Sequence, residues 1–284
     1  MLVLIKRFWS FWQAVFERMD ESHMALIAAG VAFYAMFAVF PGLAAIIALW
    51  SLWFEPNVIM TYVNVAHEFL PEDAAGIIDT QIRSLTAGGR TTIGWTSVIS
   101  FVIATVSARA GVDALIRGLN AAHGARSRST LVGFIRAYVL TLAMVGISLA
   151  GMATIVVVPI LLKFMVIAPI RAALLTALPW AGMFVLVNIG IGILYRYGPN
   201  VGAQRPPLLT WGGLFATLLW SAASIGFSAY LGSFNSYNRI YGSIGTVVAL
   251  LMWFYLAGFS VLLGAVINIE LAQKKRHRKT PAEQ

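Results

Sequence analysis

Polar and apolar positions in this chain are segregated into long blocks. The last apolar block is the clearest: from Ile244 to Ile269 no residue is charged. A helix over those 26 residues is roughly 39 Å long, against roughly 30 Å for the hydrocarbon core of a bilayer. A lipid-exposed backbone must satisfy its own hydrogen bonds, so the block predicts a tilted transmembrane helix. Five earlier blocks, 25–53, 93–108, 134–162, 172–195 and 208–231, complete six predicted spans with 244–269. Pro41 removes a backbone donor inside the first span and predicts a kink there. The second span carries Thr96, Ser97, Ser100, Thr105 and Ser107, hydroxyls that suit a helix inside the bundle.

The polar blocks between the spans differ from one another. Residues 1–22 place Ile5, Phe8, Trp9, Trp12, Val15, Phe16 and Met19 at helical spacing, with Lys6, Arg7, Glu17 and Arg18 elsewhere. That pattern predicts an amphipathic helix lying in the headgroup region. Its bulky aromatics, with no small-residue cleavage site, argue against a removable signal peptide. Residues 54–92 are acidic, with Glu55, Glu68, Glu72, Asp73 and Asp79 outnumbering Arg83 and Arg90, and predict a short amphipathic-helical cap on the outer surface. After the second span, Arg109, Asp113 and Arg117 recur every four residues, which sets them in one row with Asp113 able to pair with either arginine. Residues 273–284 form a basic tail.

Charge then sets the orientation. With the N-terminus and tail inside, 15 of the 20 Lys and Arg residues face the cytoplasm, 5 of them in the tail, and 5 face outwards. This bias predicts both termini cytoplasmic. Hydrophobic residues are 60% and charged residues 11% of the 284, so the net charge of +9 is read as topology and contact with anionic lipid headgroups, not nucleic acid. The expected fold is all-α, a polytopic membrane protein in a single membrane domain spanning 1–284.

Candidate chemistry is sparse. No cysteine is present, and His23, His67, His123 and His277 fall in separate segments, on opposite sides of the membrane in this topology. His67–Glu68 has no second histidine four residues away, as a zinc motif requires. The span centres hold no ionisable residue to mark a proton or ion path. The residues therefore predict no enzyme, no metal and no cofactor. Two amphipathic interfaces around a neutral bundle suit the handling of a lipid or other amphiphile. Arg109, Asp113, Arg117 and Asn120 are the candidate headgroup site; the alternative is that the arginines only anchor helix ends.

Several stretches carry a family resemblance: GVAFYAMFAVFPGL with Tyr34 and Pro41, DALIRGLNAAHGAR with Leu119 and Asn120, and the terminal block with Tyr241, Gly242, Trp253, Tyr255, Gly264, Ala265, Asn268 and Glu270. Together, over about residues 10 to 272, they resemble the bacterial YihY/BrkB family. The resemblance implies a six-helix protein of the bacterial inner membrane tied to envelope integrity, with a transport or lipid-related role. The working hypothesis that goes with the inner-rim headgroup site expects Tyr34 and Pro41 on a mobile first helix and Tyr241 and Gly242 at an outer gate. A structural or scaffold role in the envelope is the alternative. Members also carry the label ribonuclease BN, for which this sequence offers no acid cluster or ligand set suited to phosphodiester cleavage.

Overall fold

Apolar blocks this long leave the backbone one way to pair its own polar groups, and the fold follows from that. The computed structural model describes residues 2–50, 90–126, 130–163, 168–202, 205–232 and 238–279. Among the described residues all regular structure is helical: α1 (Leu2–Glu21), α2 (Met24–Trp50), α3 (Arg90–Ala122), α4 (Thr130–Lys163), α5 (Ala168–Tyr197), α6 (Trp211–Gly232) and α7 (Asn238–Lys279). Helices α2 to α7 each contain a stretch long and apolar enough to cross a membrane, six in all, so the expected all-α polytopic architecture is borne out. The acidic cap expected over 54–92 lies outside the described residues, save for its last three, which open α3.

The helix ends differ from the expected spans for readable reasons. The row Arg109–Asp113–Arg117 does not stop its helix, because arginine, leucine and alanine are good helix formers and the charges lie at helical spacing. Helix α3 runs on to Ala122 and ends at Gly124, whose φ of 62° is open to glycine. There Ala125 N donates to Asn120 O (2.9 Å) and Gly124 N to Ala121 O (3.0 Å), a Schellman closure that satisfies two terminal carbonyls.

The chain forms two compact units. The first contains residues 1–31, 112–229 and 255–284; the second contains 32–111 and 230–254, so α2, α3, α7 and the last residues of α6 contribute to both. The core of the first unit gathers Val15 and Met19 of α1, Met24 and Ala28 of α2, Leu119 of α3, Leu194 and Tyr195 of α5, Ala216 of α6, and Leu262 and Val266 of α7. Helix α1 thus uses its apolar residues on two sides. Val15 and Met19 are buried in the bundle, whereas Phe8, Trp9 and Phe16 are more than 60% exposed. In the second unit, Phe33 of α2 packs against Tyr34 and Phe37, and a Cβ on Gly42 would lie 3.9 Å from Ala104 of α3. Many large apolar side chains on the spans are exposed, among them Trp95, Val98 and Ile99 of α3, as a lipid-facing surface requires.

Candidate functional site

The polar contacts of the first unit concentrate at the end that carries α1 and the C-terminal part of α7. Arg18 is their hub. Its Nε donates to Glu270 Oε1 (2.6 Å), Nη1 to Ala122 O (3.1 Å) and Nη2 to Gln273 Oε1 (3.0 Å). One planar guanidinium thereby joins α1 to α7 and satisfies one of the last carbonyls of α3. A second tie lies about two turns earlier on the same face of α1, where Lys274 Nζ sits 4.6 Å from the centroid of the Phe11 ring. The next residue, Trp12, packs on Phe215 of α6 with centroids 5.9 Å apart.

The N-terminus of α6 is capped from two directions. Thr210 Oγ1 accepts from Gly213 N (3.0 Å), the usual N-cap bond, and Asn268 Oδ1 of α7 accepts from Gly212 N (2.8 Å). A backbone amide only donates, so the oxygen of the Asn268 amide is the atom facing Gly212. Its Nδ2 then donates to Thr210 Oγ1 (2.8 Å). This approach needs small residues: a Cβ on Gly212 or Gly264 would meet the other's carbonyl oxygen. Nearby, Tyr195 Oη of α5 donates to Val261 O (2.5 Å), and Asn188 Nδ2 donates to Thr217 Oγ1 (3.1 Å).

Between these contacts lies a cavity of about 930 Å³. Its α7 wall is the face bearing Ala265, Asn268, Ala272 and Lys275, and its α6 wall includes Thr210, Trp211 and Leu214. Leu119 of α3, His123 just beyond its end, Asn188 and Tyr195 of α5 and the segment Pro206, Pro207 and Leu209 line the rest. The lining is mainly apolar, with a few polar groups, and the volume suits an organic ligand. His123 Nδ1 lies 2.8 Å from Leu119 O; the carbonyl can only accept, so that nitrogen carries the proton. Burial holds the His123 pKa below its ordinary value of 6.5, the bond to Leu119 opposes that shift, and the positive charge of Arg18 adds to it. His123 is therefore neutral at pH 7, with Nε2 as an acceptor.

The residues singled out in the sequence do not converge. Arg117 Nε donates to Asp113 Oδ2 (2.8 Å), and the arginine side chain is 70% exposed. Asn120 is buried, and its Oδ1 accepts from Asn200 N (2.7 Å), tying the α5–α6 connection to the end of α3. Arg109 shares the helix but falls in the second unit. Of the motif positions, Asn268 lines the cavity, Gly264 forms the α6–α7 crossing and Glu270 is the partner of Arg18. Tyr255 stacks on Phe259, with centroids 6.0 Å apart. In the second unit, Tyr34 and Pro41 lie on α2, and Trp253 packs on Phe254 with centroids 5.3 Å apart. Tyr241 and Gly242 belong to α7 by backbone alone. Sequence reasoning missed Arg18, His123, Tyr195, Thr210, Gln273 and Lys275. Two signals were available: Glu270, an acid ending an apolar run, needs a partner, and Asn268, Ala272 and Lys275 share a helical face. Among the described residues no three His, Asp or Glu side chains are placed to hold a metal ion.

Comparison with known proteins agrees on a common lineage. The family described as virulence factor BrkB matches residues 15–284. The chain is similar to a protein of Bacillus subtilis strain 168 named "Putative ribonuclease-like protein YfkH", 26% identical over 276 residues, covering 94% of this chain and 97% of that one. It is similar to a UPF0761 membrane protein of Alkalilimnicola ehrlichii, 29% identical over 259 residues, covering 89% of this chain and 53% of the relative, so it spans about half of that length. A UPF0761 membrane protein of Azotobacter vinelandii is 40% identical over 90 residues, 31% of this chain and 22% of that one. No solved structure matches the chain.

Proposed function

This integral membrane protein belongs to the BrkB virulence factor family, and from that premise we propose that it binds a lipid or other amphiphile and moves it from one leaflet of the bacterial inner membrane. The observation that carries the reading is the cavity of about 930 Å³, with Leu209, Leu214 and Ile269 beside Asn268, Gln273 and Lys275. Such a lining fits a ligand that is apolar along its body and polar at one end. The cavity sits at the end of the first unit where Arg18, Arg126, Arg196 and Lys274 lie. A basic end is the cytoplasmic end by the positive-inside bias, and both termini lie there in this reading.

The test is lipid movement by the purified full chain in liposomes containing a headgroup-labelled lipid, with a quencher confined to the outer leaflet. Empty liposomes protect the inner-leaflet label; liposomes carrying the protein lose that protection. Ala272→Trp, which places an indole in the cavity from an exposed position, abolishes the effect and leaves membrane insertion unchanged. Protection equal to that of empty liposomes for anionic, zwitterionic and neutral lipids would overturn the proposal. Metal-dependent RNA cleavage by the same preparation would favour the enzyme reading that the name of the Bacillus relative suggests, and a stable protein complex without lipid movement a scaffold.

A further inference from the structure

Where Thr210, Asn268, Gln273 and Lys275 line the cavity, donors outnumber open acceptors; the further acceptors of the lining, Asn188 Oδ1 and His123 Nε2, belong to α5 and the end of α3. Thr210 Oγ1 already accepts twice, from Gly213 N and Asn268 Nδ2. Asn268 Oδ1 is occupied by Gly212 N, and Gln273 Oε1 by Arg18 Nη2. The donor side of the same groups has capacity to spare: the Thr210 hydroxyl proton, the second Asn268 amide proton and both protons on Gln273 Nε2 appear in none of these bonds. Lys275 adds an ammonium, and no Asp or Glu is among the described residues that line the cavity. The nearby carboxylate, Glu270, is held by Arg18 and forms no part of the wall. The N-terminus of α6 supplies no anion site of its own, because Asn268 and Thr210 already cap it.

We propose that the cavity binds an amphiphile with an acceptor-rich anionic headgroup, a phosphate or carboxylate, received by Gln273, Lys275, Asn268 and Thr210. The chain of the ligand lies along Leu209, Trp211, Leu214 and Ile269. This assignment rests on the amphiphile reading above and adds the charge of the ligand to it.

The experiment is a binding titration, which needs no transport. Full-length protein in zwitterionic-lipid nanodiscs is titrated with brominated-chain phosphatidic acid, fatty acid, phosphatidylcholine and an alkyltrimethylammonium, and quenching of tryptophan fluorescence is read. Trp211→Phe identifies the part of the signal that arises in the cavity. The two anionic probes give saturable quenching, and the cationic probe gives none. Lys275→Glu weakens the anionic probes by at least about tenfold. Gln273→Glu, which keeps an acceptor for Arg18 but replaces an amide donor with a carboxylate, weakens them similarly. Equal binding of all four probes, or anionic binding untouched by both substitutions, would overturn the headgroup assignment and leave the amphiphile reading standing. No Trp211-dependent quenching by any probe would remove both. Displacement of the brominated probes by inorganic phosphate alone would overturn the amphiphile in favour of a free anion.

Discussion

Removing the Glu270 carboxylate should cost far more than removing that of Asp113, although each accepts from an arginine Nε at nearly the same distance. Arg18–Glu270 is 2.6 Å long with side chains 25% and 9% exposed, while Arg117–Asp113 is 2.8 Å long with side chains 70% and 24% exposed. Breaking a buried pair by removing one partner costs about 3–5 kcal/mol, because the other charge stays buried and unpaired. Arg18 retains Ala122 O and Gln273 Oε1 and is partly solvated, which places its coupling to Glu270 near the strength of a charged hydrogen bond, about 2–3 kcal/mol. The exposed pair, spaced i, i+4 on one helix, is worth about 0.3–0.5 kcal/mol. Double-mutant cycles of Arg18→Ala with Glu270→Ala, and of Asp113→Ala with Arg117→Ala, measure both couplings by reversible unfolding in mixed micelles. Equal couplings, or less than about 0.5 kcal/mol for Arg18–Glu270, would refute the claim that this pair holds α1 to the bundle.

Four further outcomes are expected. Gly264→Ala destabilises the protein by about 1–3 kcal/mol or more, since its methyl would lie 2.6 Å from Tyr195 Oη and 2.7 Å from Ala216 Cβ. Gly226→Ala, with nothing within 4 Å of an added Cβ, is neutral or stabilising in the same unfolding assay. Asn268→Ala leaves Gly212 N without its acceptor and costs about 1–3 kcal/mol, and Asn268→Asp, which keeps the oxygen, recovers part of it. For pH, His123 has a folded pKa below its unfolded value of 6.5. Its contribution to stability is fully present above that value and is lost as pH falls through 6.5 towards the folded pKa, so His123→Gln should flatten the unfolding profile there.

The six spans were legible because a bilayer imposes one rule, that apolar length comes with a self-paired backbone, and apolar length is written directly in the sequence. The α6–α7 crossing obeys a related rule, that small residues one turn apart on an apolar helix allow a close approach: Gly212 and Ala216 both face Gly264. The site was not legible in the same way. The arginine row at 109, 113 and 117 satisfies a spacing rule, yet Asp113 and Arg117 satisfy each other and stay at the surface. Asn120 has a buried role that spacing cannot distinguish from ligand binding, because its partner lies 80 positions away at Asn200. Arg18 was the harder case. It sits on an amphipathic helix whose charges read as a solvated face, and only the folded bundle shows Glu270 beside it, 252 positions later.

The two polar positions of the terminal motif acquire separate meanings from this geometry. Asn268 and Glu270 are two residues apart, and at about 100° per residue they point to nearly opposite sides of α7. Asn268 faces α6 and caps its first turn; Glu270 faces α1 and, through Arg18, the last turn of α3. A single helical turn thus ties α7 to three neighbours, and the cavity lies beside the ties. Because the two side chains share no partner, their effects on stability should add within about 0.5 kcal/mol in the double substitution. Their effects on ligand binding should take separate routes. Asn268 is itself a donor in the cavity, whereas Glu270 acts through Arg18 on Gln273, so Asn268→Ala lowers anionic affinity directly and Glu270→Gln changes it only while Gln273 is present. A loss in Glu270→Gln that persists unchanged in Gln273→Ala would break that chain of reasoning at its second link.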